Sequence, residues 1–369
     1  MQILITGGAG FIGSHLADEL LRHGHRVRAL DSLSEQVHGA GAARPSYLNA
    51  DVELIRGDTR DGTAVRRALQ GVDAVYHFAA AVGVGQSMYE VAEYTSINNV
   101  GTAVLLEALI QHPVRRLIVA SSMSIYGEGL YRRVDGRIVA GTERSLERLR
   151  SGDWEMRDEH GDVLTPVATS EDKVPTLASV YALSKFDQER LCLMIGRAYD
   201  IPTVALRFFN VFGPRQALSN PYTGVLAIFA SRLLNGNRPF IFEDGLQQRD
   251  FVSVHDVAHA CRLALDVDAA TGHAINVGSG RAYTIVEVAE LLGAVLGKPV
   301  EPEMCGKYRV GDIRHCYADI SLARRLLGYE PRLTLEDGLV EIAEWLEGQV
   351  ASDRVAEASA ELASRGLTV

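Results

Sequence analysis

Short apolar runs alternate with stretches of helical periodicity through the first half of the chain. Ile3, Leu4 and Ile5 form an uninterrupted apolar run, the pattern of a strand buried on both faces of a parallel sheet. Thr6-Gly7-Gly8-Ala9-Gly10 breaks it, and Ile12, Leu16 and Leu20, with Ala17 and Leu21, then recur at helical spacing. Further strands are predicted at 26–30, 52–56, 74–77 and 117–121. Long helices are predicted at 91–112, where Val100, Val104, Leu105 and Leu109 share a face, and at 180–199. This alternation predicts an α/β fold, a doubly wound parallel sheet with ligands at the carboxyl ends of its strands. Residues 127–175 depart from the rhythm, with Arg132, Arg133, Arg144, Arg148, Arg150 and Arg157 among scattered acids. A gap this long implies an insertion with structure of its own, and Trp154 is its expected anchor. Leu335, Leu339, Ile342 and Leu346 mark a last amphipathic helix, and residues 351–369 read as a flexible tail.

The chemistry gathers at the strand ends. Gly7, Gly10 and Gly13 lie three residues apart across the first turn. They allow a tight turn, close approach to a pyrophosphate, and packing of the new helix against the strand, with the first-turn N–H groups of Phe11, Ile12 and Gly13 free for phosphate. Such a turn is common by itself; between a buried strand and an amphipathic helix it favours a dinucleotide site. Asp31 follows Gly13 by 18 residues, close to the ~20-residue offset of the acid that binds an adenosine ribose. Its carboxylate accepts from a 2′-hydroxyl and repels a 2′-phosphate, which favours NAD, while Arg28 and Arg44 nearby keep NADP open. Asp58, with Thr59 beside it, is placed for the adenine amino group, and Asp61 for the cap of the next helix. The small Ala79 and Ala80 let the backbone lie against the cofactor, and His77 reads as a packed strand-end histidine. Tyr181 and Lys185, four apart, share a helix face. A phenol of ordinary pKa, ~10, is a poor base at neutral pH. An ammonium beside it, together with a positive nicotinamide ring, stabilises the phenolate. Such a pair is often just two surface side chains; here it follows a dinucleotide site and the strand-end Ser122, and reads as catalytic.

Composition narrows the classes. A chain of 369 residues with 47% hydrophobic and 23% charged residues has ample core for two domains. A formal net charge of -10 argues against general affinity for nucleic acid or an anionic membrane. No basic, apolar leader opens the sequence, and no apolar stretch reaches the ~20 residues that span a bilayer. Cys192, Cys261, Cys305 and Cys316 are dispersed without a C-x-x-C pair, so no metal is expected, and a cytoplasmic protein with free thiols is.

With these residues in place, the chain resembles the extended short-chain dehydrogenase/reductase family, specifically its NAD-dependent sugar-nucleotide epimerases and dehydratases. The resemblance runs from Met1 to about Leu346 through an ordered series. Its parts are TGGAGFIGSHL at the start, GDTRD at 57–61, HFAA at 77–80, SSMSIYG at 121–127, YALSK at 181–185, RFFNVFGP at 207–214, RDFVSVHDV at 249–257, NVGSG at 276–280 and RVGD at 309–312. It implies a Rossmann dinucleotide-binding domain over 1–210, to which 251–277 returns, and a smaller α/β substrate-binding domain over 211–350. It further implies Tyr181 as acid/base, Lys185 as the group that tunes it and holds the nicotinamide ribose, and Ser122 as a hydrogen-bond partner of the reacting sugar hydroxyl. Ser124, Asn210, Arg249, Arg309 and Asp312 would meet the nucleotide-diphosphate sugar. A homodimer through helices 91–112 and 179–199 is also implied.

Family members that dehydrate or decarboxylate carry an acid beside the serine, whereas Met123 and Ser124 stand here; the pattern resembles a 4-epimerase. The insertion, YGEGLYRR…SGDWE…LTP…T, resembles a subgroup that interconverts dTDP-L-rhamnose and dTDP-6-deoxy-L-talose. That subgroup often carries cysteine pairs in the insertion, and 127–175 has none. A UDP-glucose or UDP-glucuronate epimerase, a 4-keto sugar reductase and a nonenzymatic NAD sensor stay open.

Overall fold

The computed structural model describes residues 1–222, 224–298 and 300–368. Seven parallel strands form the main sheet: β1 (Gln2–Thr6), β2 (Arg26–Asp31), β3 (Glu53–Arg56), β4 (Ala74–His77), β5 (Arg116–Ser122), β6 (Thr203–Phe208) and β7 (Ala274–Val277). Their order is β7-β6-β5-β4-β1-β2-β3, so the order reverses beside β1. That switch point opens a crevice at the carboxyl ends. Ile3, Leu4 and Ile5 are fully buried, because helices cover both faces. On one face α1 (Phe11–Arg22) packs with a helix over Val254–Asp266 around Leu16, Leu20, Val257 and Cys261. On the other, Val65, Leu105, Leu109 and Cys192 form the core beneath helices Gly62–Ala68, Gly101–Gln111 and α2 (Val180–Ala198). Asp61 caps its helix by accepting from the Thr63 N–H at 2.8 Å.

Four expectations are corrected. The predicted helix at 91–112 is interrupted by a π turn over Thr95–Val100, which swings Asn98 inward. Only β7 of the returning segment joins the main sheet; Phe251–Ser253 instead pairs with Asn210–Phe212, because the chain bends out of β6 at Phe209. Trp154 is only half-buried. The insertion is instead three short antiparallel strands, Leu130–Arg132, Ile138–Ala140 and Thr165–Val167, closed over Tyr131, Met156 and Leu164. The supposed flexible tail contains α3 (Val355–Ser364), whose Leu362 is buried. Its apolar face is short and alanine-rich, so the pattern was too weak to read.

A second core gathers Phe212, Phe229, Leu233, Ile241, Phe251, Leu292, Leu339 and Leu346. A charged brace ties the insertion to it. Arg314, its side chain fully buried, bonds Glu243 at 2.9 Å and Asp244 at 2.6 Å, and also Glu155. Arg144 bonds the other oxygen of Glu243 at 2.8 Å. Glu128 accepts from the N–H groups of Arg314 and His315 and from the Tyr131 hydroxyl. The hydrogen bond from His315, with Arg314 beside it, holds the Glu155 carboxyl down at about 2. Replacing Arg314 by Leu leaves Glu243 and Asp244 short of a buried cation. Urea denaturation is expected to show a loss of about 3 kcal/mol, the usual cost of halving a buried pair; a change within error would mean the brace carries no stability.

Candidate active site

One cavity of about 930 Å³ runs along the strand ends, from Asp31 and Asp58 at one end, past Ala79, Ser122 and Tyr181, to Arg249 and Arg309. Backbone packing shapes its floor. Gly7 has φ +71°, and a Cβ there would lie 2.9 Å from the Ala79 nitrogen. A Cβ on Gly13 would lie 2.3 Å from the Gly7 carbonyl oxygen. Gly10 has room for a side chain, whereas Gly8, which the motif spacing did not single out, would clash with Ala29 at 2.6 Å. Phe11, Ile12 and Gly13 enter the cavity at the start of α1, where N–H groups lack helical partners.

Asp31 is held rigidly at the end of β2, accepting from the N–H groups of Ala9 at 3.0 Å and Leu33 at 2.9 Å. Its remaining lone pairs are available to the cavity it lines. Arg28 and Arg44 are turned elsewhere, to Glu53 and to the carbonyls of Val52 and Asn49. Asp58 is gripped by the Arg60 guanidinium at 2.6 Å, and Thr59 packs against Gly101. Ala79 donates its N–H to Thr6 Oγ1 at 3.2 Å, and Ala80 continues the cavity wall.

Ser122, at the end of β5, accepts from the Ser124 hydroxyl at 2.9 Å. Tyr181 faces it from the first turn of α2; the Tyr181 N–H donates to Ser87 Oγ at 3.0 Å, and the Tyr94 ring stands edge-on at 6.5 Å. Burial raises the Tyr181 pKa, and the neighbouring Ser122 hydroxyl works the other way. Lys185 is turned to Gln188 Oε1 at 2.6 Å, and burial pulls its own pKa down to about 8.

That lysine contact opens a buried polar chain that the motifs did not reveal. Gln188 Nε2 donates to Thr102 Oγ1 at 2.9 Å, Thr102 meets His77 Nε2 at 2.8 Å, and His77 Nδ1 meets Thr6 Oγ1 at 2.8 Å. Burial pushes His77 down to about 3, so it is neutral and serves as a link. Asn98, turned inward by the π turn, accepts from the Ala81 N–H at 2.7 Å and donates to Ser184 Oγ at 2.8 Å. It thereby ties the cavity wall to α2. Gln188 was findable in principle, one turn beyond Lys185. Asn98 was not, because a π turn shifts the face that helical periodicity assigns.

At the far end, Arg249 donates to the carbonyls of Gln248, Ile313 and Arg314 at 2.9, 2.6 and 2.9 Å. Arg309 is engaged by Asp312 through two bonds of 3.0 and 2.7 Å. The structure thus brings the expected residues to one cavity, but with the Arg309 charge already paired. Asn210 lines the same end, and its buried Oδ1 has no hydrogen-bond partner among the described residues. A buried acceptor left unpaired is costly and suits a ligand donor.

A parallel doubly wound sheet with a glycine-turn crevice, a serine at a strand end and a tyrosine and lysine on the helix facing it defines a short-chain dehydrogenase/reductase. Residues 3–144 and 158–278 match the NAD dependent epimerase/dehydratase family. The chain is 36% identical to a dTDP-L-rhamnose 4-epimerase of Burkholderia thailandensis, over 94% of each chain. It is 32% identical to a UDP-glucose 4-epimerase of Mycolicibacterium smegmatis, over 95% of this chain and 99% of the relative. Among solved structures, UDP-glucose 4-epimerase of Thermotoga maritima with UDP-glucose is similar with a TM-score of 0.77, as is UDP-glucuronic acid 4-epimerase of Bacillus cereus with UDP-glucuronic acid and NAD. Both are 30% identical, over 94% of this chain and 99% of theirs. The chain belongs to the NAD dependent epimerase/dehydratase family: it is an NAD-dependent epimerase of the extended short-chain dehydrogenase/reductase type. The cradle that Gly7 and Gly13 keep free of Cβ atoms beside the small Ala79, with Asp31 fixed next to it, fits that cofactor. No helix among the described residues is long and apolar enough to cross a membrane.

The polar chain behind Lys185 makes a testable demand. Gln188→Leu takes away the acceptor that faces the buried ammonium, so the charged form is disfavoured and the Lys185 pKa falls further. The alkaline limb of the pH–rate profile, expected near 8 from Lys185, is predicted to move to lower pH in this variant. An unmoved limb would dissociate Gln188 from lysine tuning.

Proposed function

We propose that the chain is a nucleotide-sugar 4-epimerase that inverts C4 through a transient 4-keto sugar, converting dTDP-L-rhamnose to dTDP-6-deoxy-L-talose. The observation that carries the reaction type is the absence of an acid beside Ser122. Met123 and Ser124 occupy those positions, and neither supplies the proton traffic that losing water or carbon dioxide requires. NAD, when bound, would supply the acceptor for the C4 hydride and its donor on return to the opposite face. Gly7, Gly10, Phe11, Ile12, Gly13, Asp31, Asp58, Thr59, Ala79 and Ala80 would hold it.

Tyr181 takes the C4 hydroxyl proton and later returns one to the reduced alkoxide. Burial alone makes its phenolate costly, so that form depends on cations within reach, Lys185 among them. Ser122 orients the reacting hydroxyl, and Ser124 fixes Ser122 through their 2.9 Å bond. Asn210 Oδ1 is the free acceptor for the substrate, and Arg249, Arg309 and Asp312 frame its diphosphate and nucleoside. A guanidinium suits phosphate oxygens because it binds them through two parallel bonds. For Arg309 that requires exchanging one or both of its bonds to Asp312. The dTDP-deoxyhexose assignment is supported by the 36% identical, full-length relative.

A panel of dTDP- and UDP-sugars tests the assignment by product mass and proton NMR. Unchanged mass with inverted C4 couplings on dTDP-L-rhamnose is expected. Turnover confined to UDP-glucose or UDP-glucuronate would move the substrate, and a loss of water or carbon dioxide would overturn the reaction type. Tyr181→Phe is expected to lower kcat by at least about a thousandfold while NAD remains bound; an active Phe variant would remove Tyr181 from its role.

A further inference from the structure

Residues 355–362 line one side of the cavity, mostly with carbon, with Ser359 as the polar member. Leu362 and Ala358 of α3 are 3% and 8% exposed, and both line the cavity together with Val355. A Cβ placed on Gly85 would lie 3.3 Å from the Leu362 methyl and 3.7 Å from Arg309 Cδ. The 84–87 stretch therefore lies between α3 and the start of α2, where Ser87 Oγ accepts from the Tyr181 N–H. Past α3, the Val310 N–H donates to the Leu367 carbonyl at 2.9 Å, and Arg309 forms an antiparallel bridge with Thr368. Arg365 stacks on the Tyr89 ring at 4.4 Å, and Tyr89 in turn shares a 2.6 Å hydrogen bond with Tyr222. The segment is thus fastened at three points, and one of them is the loop that carries Arg309 and Asp312.

We propose that this segment is part of the substrate site, and that Leu362 forms the wall that selects the hexose's exocyclic substituent, favouring a methyl group over a carboxylate. The proposal rests on the nucleotide-sugar epimerase reading and deepens it. A hexose reaching from Tyr181 to Arg309 passes along 84–87 and meets Leu362 there. A carboxylate against that wall would lose its hydration without a cation in exchange. Arg309 is engaged by Asp312, Arg60 is engaged by Asp58 and Glu93, and Glu90 and Glu93 also line the cavity. A methyl group loses nothing on burial there.

The test compares the full chain, a chain ending at Arg354, Leu362→Lys and Leu362→Met, with dTDP-L-rhamnose and UDP-glucuronate as substrates. Removal of 355–369 is expected to raise KM for the deoxyhexose about tenfold with a smaller change in kcat, the scale of losing an apolar pocket contact. Leu362→Lys is expected to raise the ratio of kcat/KM for uronate over deoxyhexose by about tenfold, and Leu362→Met to keep the parent ratio. An unchanged KM in the shortened chain and an unchanged ratio in the lysine variant would overturn the proposal. If the full chain turned over no nucleotide sugar, the epimerase reading itself would fall. The wall would then be judged by hydrogen exchange at 84–87 with and without dTDP: faster exchange in the shortened chain supports it, and equal exchange overturns it.

Discussion

The close contact between the first turn and the strands on either side of it is the constraint on which the rest of the site depends. Gly13 sits so near the Gly7 carbonyl that a single added carbon would lie 2.3 Å from it, and one on Gly7 would lie 2.9 Å from the Ala79 nitrogen. These contacts draw the start of α1 onto the end of β1 and bring β4 alongside. The crevice at the switch point is therefore a consequence of backbone packing, not of any one side chain. Every other site residue is placed relative to that crevice: Asp31 by β2, Ser122 by β5, Tyr181 and Lys185 by the first turns of α2.

A second principle of construction is polar bonding buried deep in the protein. Thr6, His77, Thr102, Gln188 and Lys185 form a continuous chain from the first strand to α2. At the other end, Arg144 and Arg314 join an insertion to the segments that carry Arg249 and Arg309. Each network is costly if half-made and specific when complete. Together they fix where the lysine points and where the Arg249–Arg309 end of the cavity lies.

The sheet was legible in the sequence because its strands are buried on both faces and so read as plain apolar runs. Tyr181, Lys185, Ser122 and the first-turn glycines were legible because their spacings are local. What the sequence hid was non-local or off-period. The partners Arg144 and Glu243 are 99 residues apart, and no single-chain pattern links them. The insertion's strands are three residues each, too short for alternation to register. Asn98 lies on a π turn, and α3 has too few large apolar residues to stand out from a tail. Nor did the Tyr181–Lys185 spacing reveal that the lysine donates to Gln188.

The account's central claim is that the sugar's own C4 hydride would be lent to one bound molecule of NAD and recovered by the same carbon within a single encounter. Deuterium placed at C4 of dTDP-L-rhamnose measures this directly. The label is predicted to remain at C4 of the epimerised product, in unlabelled water and with NAD only in catalytic amount. Loss of the label to solvent, or its accumulation in free reduced cofactor, would contradict the account.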